Sequence, residues 1–436
     1  MNCLPFLVKR SSALILAGAL AAASAAQTSS SLPSLTLAQA LEMAKDRNGT
    51  VKSAEYLVNA ARQRVAEAFS AFLPSITPEY TYNSLREQFQ LGTATAFLQQ
   101  EGGSTSVNTS MTLLDSGQRQ FTLSASRRSL SSQKFSAKQT LRTTLFSVTQ
   151  QFYETLRSQE LLNVSQSQVD RTAQILSQTK ARIIVKDAAA IEELQANADY
   201  QNARVQLLVS RNSVSSNAAS LKGLIGLDSD QPLPTLEKTD VEARPISKPQ
   251  PMLVRQGLAE RPDLQSMRQS LQAARYNYLV ADRNANLGLS VTLNYDQQIT
   301  PISLQDRALL LTLSYPLFDG GLTRAQAREL RDDYASDKAL LVQAERSAQA
   351  EIEAAYATDS QDLERLDAAK TALDAAQKNY DAALESQKLG AYDLIQVLTA
   401  NVSLVTAQSD YIQAIYDFAI SDVNLKLVTG QPIPGE

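Results

Sequence analysis

The sequence predicts a mainly α fold with membrane β: a long antiparallel helical barrel, plus four strands per chain contributing to a shared twelve-stranded trimeric β-barrel. Three observations predict it. Segments 115–226 and 319–430 are two copies of one pattern at a constant shift of 204 residues, with no gap between Asp115/Asp319 and Gly226/Gly430. A repeat that tolerates no insertion is a rigid element, and such internal symmetry decides the architecture. Gly and Pro are absent from 118–222, 322–389 and 391–429, so long helices are expected. Ahead of each long copy, apolar residues recur at every second position, the period of a strand with one wet face.

The first element is a leader. Lys9-Arg10 precede an apolar run at 13–23 and the small residues Ala23-Ser24-Ala25-Ala26. A basic start, a short apolar core and a small-residue cleavage site read as a secretory signal over 1–26. The only cysteine, Cys3, leaves with it. Loss of Lys9 and Arg10, with no acid in the leader, takes the formal charge from −4 to −6. That balance argues against nucleic acid as a partner. With no His and no mature Cys, the usual zinc and copper sites and the Ser-His-Asp and Cys-His nucleophiles are excluded. No metal, cofactor or catalytic residue is expected, and the chain does not read as an enzyme.

The domains follow in order: a first structural repeat over 27–230, a Pro-rich linker over 231–251, a second repeat over 252–430 and a tail over 431–436. Each repeat begins with a helix, at 36–72 (weakened near Asn48-Gly49) and at 252–284. A strand pair comes next. In the second half Leu287, Leu289, Val291, Leu293 and Tyr295 alternate with polar residues, as do Leu309, Leu311 and Leu313. The first half offers Ile76, Pro78, Tyr80 and Tyr82, then Val107, Thr109, Met111 and Leu113. Connections are expected near 85–106 and 296–307. Four strands cannot close, and unpaired backbone cannot face lipid, so several chains must share one barrel. Membrane lipid is thus a partner, and three copies give twelve strands, where the eight of a dimer would be too narrow for much besides their own side chains.

The long copies then fold as hairpins. One helix over 118–222 would run about 160 Å, so a reversal is required. Gly390 marks it in the second copy, and position 186 in the first. Ala400, Ala407 and Ala414 are spaced by seven, which lets helices pack closely along a thin apolar seam between two wet faces. Asp115 and Asp319 are expected as N-caps of the long helices.

Together the residues resemble the TolC-type outer-membrane efflux family over the whole mature chain. The resemblance rests on Leu37-Ala38-Gln39-Ala40-Leu41, Arg261-Pro262-Asp263-Leu264, Leu73-Pro74-Ser75-Ile76 and Tyr315-Pro316-Leu317-Phe318-Asp319-Gly320-Gly321, then Gly390 through Leu398-Thr399-Ala400-Asn401 to Gly430. It implies a homotrimer in the cell outer membrane that spans into the periplasm. It also implies a passive exit duct for a tripartite efflux or type I secretion system, fed by an inner-membrane pump through a periplasmic adaptor. The adaptor-contacting tips would include Lys186, Asp187, Gly390 and Tyr392. The family's constriction acids would fall at Gln396 and Thr399, with Asp393 one turn earlier and Glu192 in the first copy. All four are candidate constriction residues. The rival reading is a soluble periplasmic coiled-coil scaffold or adaptor, its alternating segments forming an ordinary sheet.

Overall fold

The computed structural model describes residues 34–436 except 187, 229, 239–240, 242, 284–286, 300–302, 390 and 392. The expected leader lies outside the described residues. Elements follow the order α1 (Leu37–Arg47), α2 (Gly49–Ser70), β1 (Ser75–Leu91), β2 (Ala94–Leu114), α3 (Gln118–Ile184) and α4 (Ala190–Ile225). The second half repeats it: α5 (Gln250–Glu260), α6 (Pro262–Asp282), β3 (Gly288–Gln298), β4 (Leu304–Ser314), α7 (Leu322–Lys388) and α8 (Leu394–Val428). Both long helices have 67 residues and start 204 positions apart, so the gapless repeat is a gapless structure. Each is about 100 Å long.

The helix before each strand pair is broken, by different chemistry. Asn48 ends α1 and caps α2, its Oδ1 accepting from Thr50 N at 2.9 Å. Arg261 plays the same double role between α5 and α6, where Pro262 opens the second helix. Helix α5 begins at Gln250, two residues before the expected Met252, because Pro251 fits the first turn.

The sheet is β1-β2-β3-β4, antiparallel throughout. The strands outrun expectation. Segment 85–106 is strand paired out to Leu91↔Ala94 rather than a connection, and strand likewise extends into 296–307. Its Gln, Ser and Thr residues, and a change in the phase of its apolar residues, hide the alternation that marks a strand. One face carries Ile76, Tyr80, Val107, Leu293, Leu309 and Leu311 in matched register; the other carries Ser, Thr, Asn and acids. Leu309 and Leu311 are 73% and 67% exposed, so no described residue covers the apolar face there. Among the described residues both edge strands, β1 and β4, are unpaired on their outer sides.

Asp115 and Asp319 begin the long helices, but from two residues before the N-cap rather than at it. The N-cap positions are Gly117 and Gly321, at φ 89° and 87°. Each aspartate lies two residues before its cap and accepts from the cap amide: Gly117 at 3.2 Å, Gly321 at 2.9 Å. It also accepts from the amide four residues on, Arg119 or Thr323, at 2.9 Å in each. Left-handed backbone is what brings those amides onto the carboxylate, hence the glycines.

The helices lie side by side as α4, α3, α8 and α7. Ala196, Ala203, Ala400, Ala407 and Ala414 are all buried between them, as the seven-residue spacing predicts. A larger core sits where the hairpins meet the short helices, with Leu41, Leu145, Phe152, Leu221, Tyr416 and Ile433. Gly226 and Gly430 end the return helices at φ 70° and 75°. A Cβ there would fall 2.6 Å from Arg47 and 2.9 Å from Glu260, so both hairpins dock on a short helix at a residue that must be glycine. Among the described residues no helix is long and apolar enough to cross a membrane.

Candidate functional site

Both hairpin turns lie at one end of the helical layer, and the sheet lies at the other. At the turns, Ile175, Leu176, Ala196, Tyr380, Val397, Leu398 and Leu404 form a small core that joins the hairpins. The tips are therefore packed against each other, and Glu192, Asp393, Gln396 and Thr399 lie in the helix starts beside that core.

Glu192 and Gln396 are equivalent, 204 residues apart and both in the first turn of a return helix. Each uses its side chain to accept the N–H that starts that helix: Glu192 from Ala189 at 3.2 Å, Gln396 from Asp393 at 3.0 Å. This is one arm of a capping box. Glu192 also faces Arg182 of α3 at 4.0 Å. Asp393 is the N-cap residue of α8 and is exposed. Thr399 is exposed one turn later, its hydroxyl donating to the carbonyl of Ile395 at 2.8 Å. So Asp393, Gln396 and Thr399 share the first two turns of α8, and Glu192 occupies the matching turn of α4. Helix-start chemistry engages Glu192 and Gln396, which sequence spacing alone did not indicate.

Of the tip residues, Lys186 is exposed at φ 60°, a left-handed position held by a residue with a Cβ. Asp187, Gly390 and Tyr392 lie outside the described residues. Behind the tips a groove of about 690 Å³ runs between α3 and α7, lined by Arg171, Ile175, Arg182, Tyr380, Leu384 and Lys388. Spacing gave no sign of it, because its walls come from different copies of the repeat.

Higher in the helices the polar side chains link elements. Asp417 of α8 accepts from Arg157 of α3 at 2.8 Å and from Arg365 of α7 at 2.9 Å. Asp359 of α7 is 3% exposed and accepts from Ser421 of α8 at 3.2 Å. Burial, with Asp422 and Asp362 nearby, raises its pKa to about 6. At the sheet's far end, Glu79, Ser106, Asp296 and Asp306 form one cross-strand row on the polar face.

Comparison with known proteins gives one consistent result. The model of the outer membrane efflux protein family matches residues 40–227 and 253–431. Among curated relatives, outer membrane protein TolC of Escherichia coli is 22% identical, covering 90% of this chain and 82% of its own. Outer membrane efflux protein BepC of Brucella suis is also 22% identical, covering 91% and 85%. Among solved structures, the CusC channel superposes with a TM-score of 0.80 at 16% identity, covering 92% of this chain and 94% of that one. The CmeC outer membrane channel of Campylobacter jejuni gives 0.78 at 16% identity, covering 90% and 85%.

Proposed function

We propose, from the premise that this chain belongs to the outer membrane efflux protein family, that three copies build one continuous duct from the cell surface to the periplasmic tips. The chain is an outer-membrane efflux channel, which sets aside the soluble scaffold. The trimer, its partners and the constriction are our own reading. The observation that carries it is the four-stranded sheet with one uncovered apolar face and two open edges. In lipid both edges must pair, and twelve strands from three chains close a barrel wide enough to conduct. Leu317 and Phe318, 91% and 89% exposed just after β4, fit a neighbouring chain or lipid better than water.

The duct is passive and non-catalytic. A pump in the inner membrane supplies the energy, and a periplasmic adaptor meets the turns around Lys186 and Gly390. Asp393, Gln396, Thr399 and Glu192 line the periplasmic constriction, where one carboxylate per return helix sets the preference for cations. Two experiments test this. Native mass spectrometry after detergent extraction from washed outer membranes should give a trimer of the cleaved chain; a monomer in the periplasmic fraction would overturn the shared barrel. Replacing Glu192 and Asp393 together with Ala should lower cation selectivity in bilayer recordings. If selectivity and conductance are unchanged, those residues are helix starts and nothing more.

A further inference from the structure

The two strand pairs are unequal in height. Gln298, the last residue of β3, pairs with Ser104, which pairs in turn with Thr81. Beyond that level β1 runs on to Leu91, ten residues further (91 − 81), and β2 returns beside it from Ala94. At the root Ile299 still donates to the carbonyl of Gly103 at 2.7 Å. Above it, among the described residues, β1 and β2 pair only with each other. A two-stranded ribbon about 34 Å long therefore projects from the end of the sheet opposite the helices.

The apolar side of this ribbon is not the apolar side of the sheet. Side chains alternate along a strand, so the register assigns each residue to a face. Below the root the apolar face of β1 carries Ile76, Pro78, Tyr80 and Tyr82. Tyr80 fills the space over Gly103, where a Cβ would fall 2.9 Å from its hydroxyl. From Ser84 upward that face turns polar, with Arg86, Gln88 and Gln90 on β1 and Gln99 and Glu101 on β2. Its one aromatic ring, Phe97, lies under the Arg86 guanidinium at 4.9 Å. The opposite face carries Thr77, Glu79 and Asn108 lower down, and here it carries Leu85 and Leu98, each 47% exposed. Positions 89 and 91 share the parity of Leu85 and are Phe and Leu in the sequence. The change of side falls where Asn83 pairs with Gly102. There a hollow of about 600 Å³ is lined by Asn83, Leu85, Gln100, Gly102, Ser104 and Asp296. All six lie on the polar side of the sheet, so the root of the ribbon is concave toward that side.

We propose that the three ribbons of a trimer lean over the barrel mouth and pack Leu85 and Leu98 against the same residues of the other copies, sealing the duct from outside. This rests on the channel reading, in which the polar face of the sheet lines the lumen. Length decides that the ribbons can meet. Twelve strands about 4.8 Å apart and tilted by about 40° close at a backbone radius of about 12 Å, well within the reach of the ribbon. Lipid cannot cover Leu85 and Leu98, because it meets the outer side, which is polar at this height. Another copy of the ribbon presents a matching apolar side and is held nearby by the shared barrel. Glu87 is the one charge on the inner side between positions 85 and 100. Closure brings three such carboxylates together, and their repulsion keeps the seal weak enough to part when substrate leaves.

The test uses the full-length protein on intact cells, with the mass of the extracted assembly checked first; a monomer would sink the channel reading and not the seal alone. Cys3 is the only native cysteine, so introduced cysteines report cleanly. Under mild oxidant, Leu98→Cys should link neighbouring copies on a denaturing gel, whereas Gln99→Cys, one residue away on the outer side, should not. Asn108→Cys, on the polar face below the root, reports entry of a membrane-impermeant maleimide from outside. Its labelling should be slow with the native ribbon and several-fold faster once Leu85→Gln and Leu98→Gln are added. Should that pair of changes prevent assembly, Leu98→Ser alone takes its place. Gln88→Leu, on the outer side, should leave the rate unchanged, and Glu87→Gln should lower it. Fast labelling with the native ribbon would overturn the seal, as would a Leu98→Cys that links no better than Gln99→Cys. A cross-link to a different protein would overturn it in favour of an external partner. If Asn108→Cys stays unlabelled even with residues 84–101 replaced by a short turn, the polar face does not line the lumen, and the channel reading falls with it.

Discussion

At the first strand-to-helix junction Arg119 gathers the chain; at the second, the same position of the repeat holds Thr323. Arg119 pairs with Asp115 at 2.8 Å, donates to the carbonyls of Thr112 at 2.6 Å, Ala71 at 3.2 Å and Leu113 at 3.2 Å, and lies over the Phe72 ring. Thr323 only adds its hydroxyl to Asp319. Both use the same Asp-x-Gly start. The first is completed by α2 and β2 of its own chain, whereas the second leaves Leu317 and Phe318 in the open. Duplication thus supplied one backbone, and the side chains then closed one copy on its own chain and left the other open. If so, Arg119→Ala should be the costliest single change here, about 3 kcal/mol, since Asp115 loses its ion pair and three carbonyls lose a shared donor. Thermal unfolding of the detergent-solubilised protein should fall clearly for Arg119→Ala and barely for Thr323→Ala. Equal losses would erase the distinction.

A second pair of equivalent positions differs in charge. Thr155 of α3 and Asp359 of α7 are both buried, and each meets the return helix of its own hairpin: Thr155 at Asn217 and Asp359 at Ser421. A threonine satisfies itself on the carbonyl of Gln151 at 2.7 Å. An aspartate there must be desolvated, so its pKa rises to about 6. Between an unfolded value of about 4 and that figure, the folded state holds a proton the unfolded state has shed. Stability from this group is therefore complete below about pH 4 and lost as the pH rises to about 6. The penalty above that is on the order of 2–3 kcal/mol. Asp359→Asn should raise the melting temperature at pH 7.5 and flatten its dependence between pH 4 and 6. An unchanged pH profile would show that the carboxylate is already neutralised by another route.

Most of this architecture was legible in the sequence, and for definite reasons. A gapless shift of 204 places α7 and α8 once α3 and α4 are read, and a scarcity of Gly and Pro exposes the long helices. What escaped was chemistry that spacing does not encode. Strand through 85–106 escaped because its apolar residues change face there, which breaks the period. Gly117 and Gly321 take the cap position from the aspartates because the left-handed turn moves the carboxylate back by two residues. The α3–α8 seam and the groove behind the tips arise between copies, where repeat arithmetic says nothing. Glu192 and Gln396 were found by position, and their helix-capping bonds became visible only with the backbone in place.

The two turns offer a smaller contrast. Lys186 holds φ 60° in the first, at the place where the second copy has Gly390. A side chain in left-handed backbone costs about 1 kcal/mol, which glycine avoids. Lys186→Gly should slow hydrogen exchange at the amide of Lys186, which donates to Ile183 at 3.0 Å, and raise stability by less than about 1 kcal/mol. Lys186→Ala, which keeps the Cβ and loses the charge, should not. If adaptor binding survives both substitutions, the charge of Lys186 takes no part in docking.

The smallest expected effect separates the two strand pairs. In the first, Glu79 faces Ser106; in the second, Asp296 faces Asp306, like charges directly opposite on the polar face. Such a pair destabilises by about 0.2–1 kcal/mol, and nothing in the fold requires it. A wet lumen tolerates the repulsion, whereas a packed sheet face would have replaced one partner. Asp306→Asn should therefore raise the melting temperature slightly and reduce cation preference in bilayer recordings, and Ser106→Asp should do the reverse in both. If neither substitution moves selectivity while both move stability, the polar face does not line the conducting path, and the sheet's orientation in the barrel must be reversed.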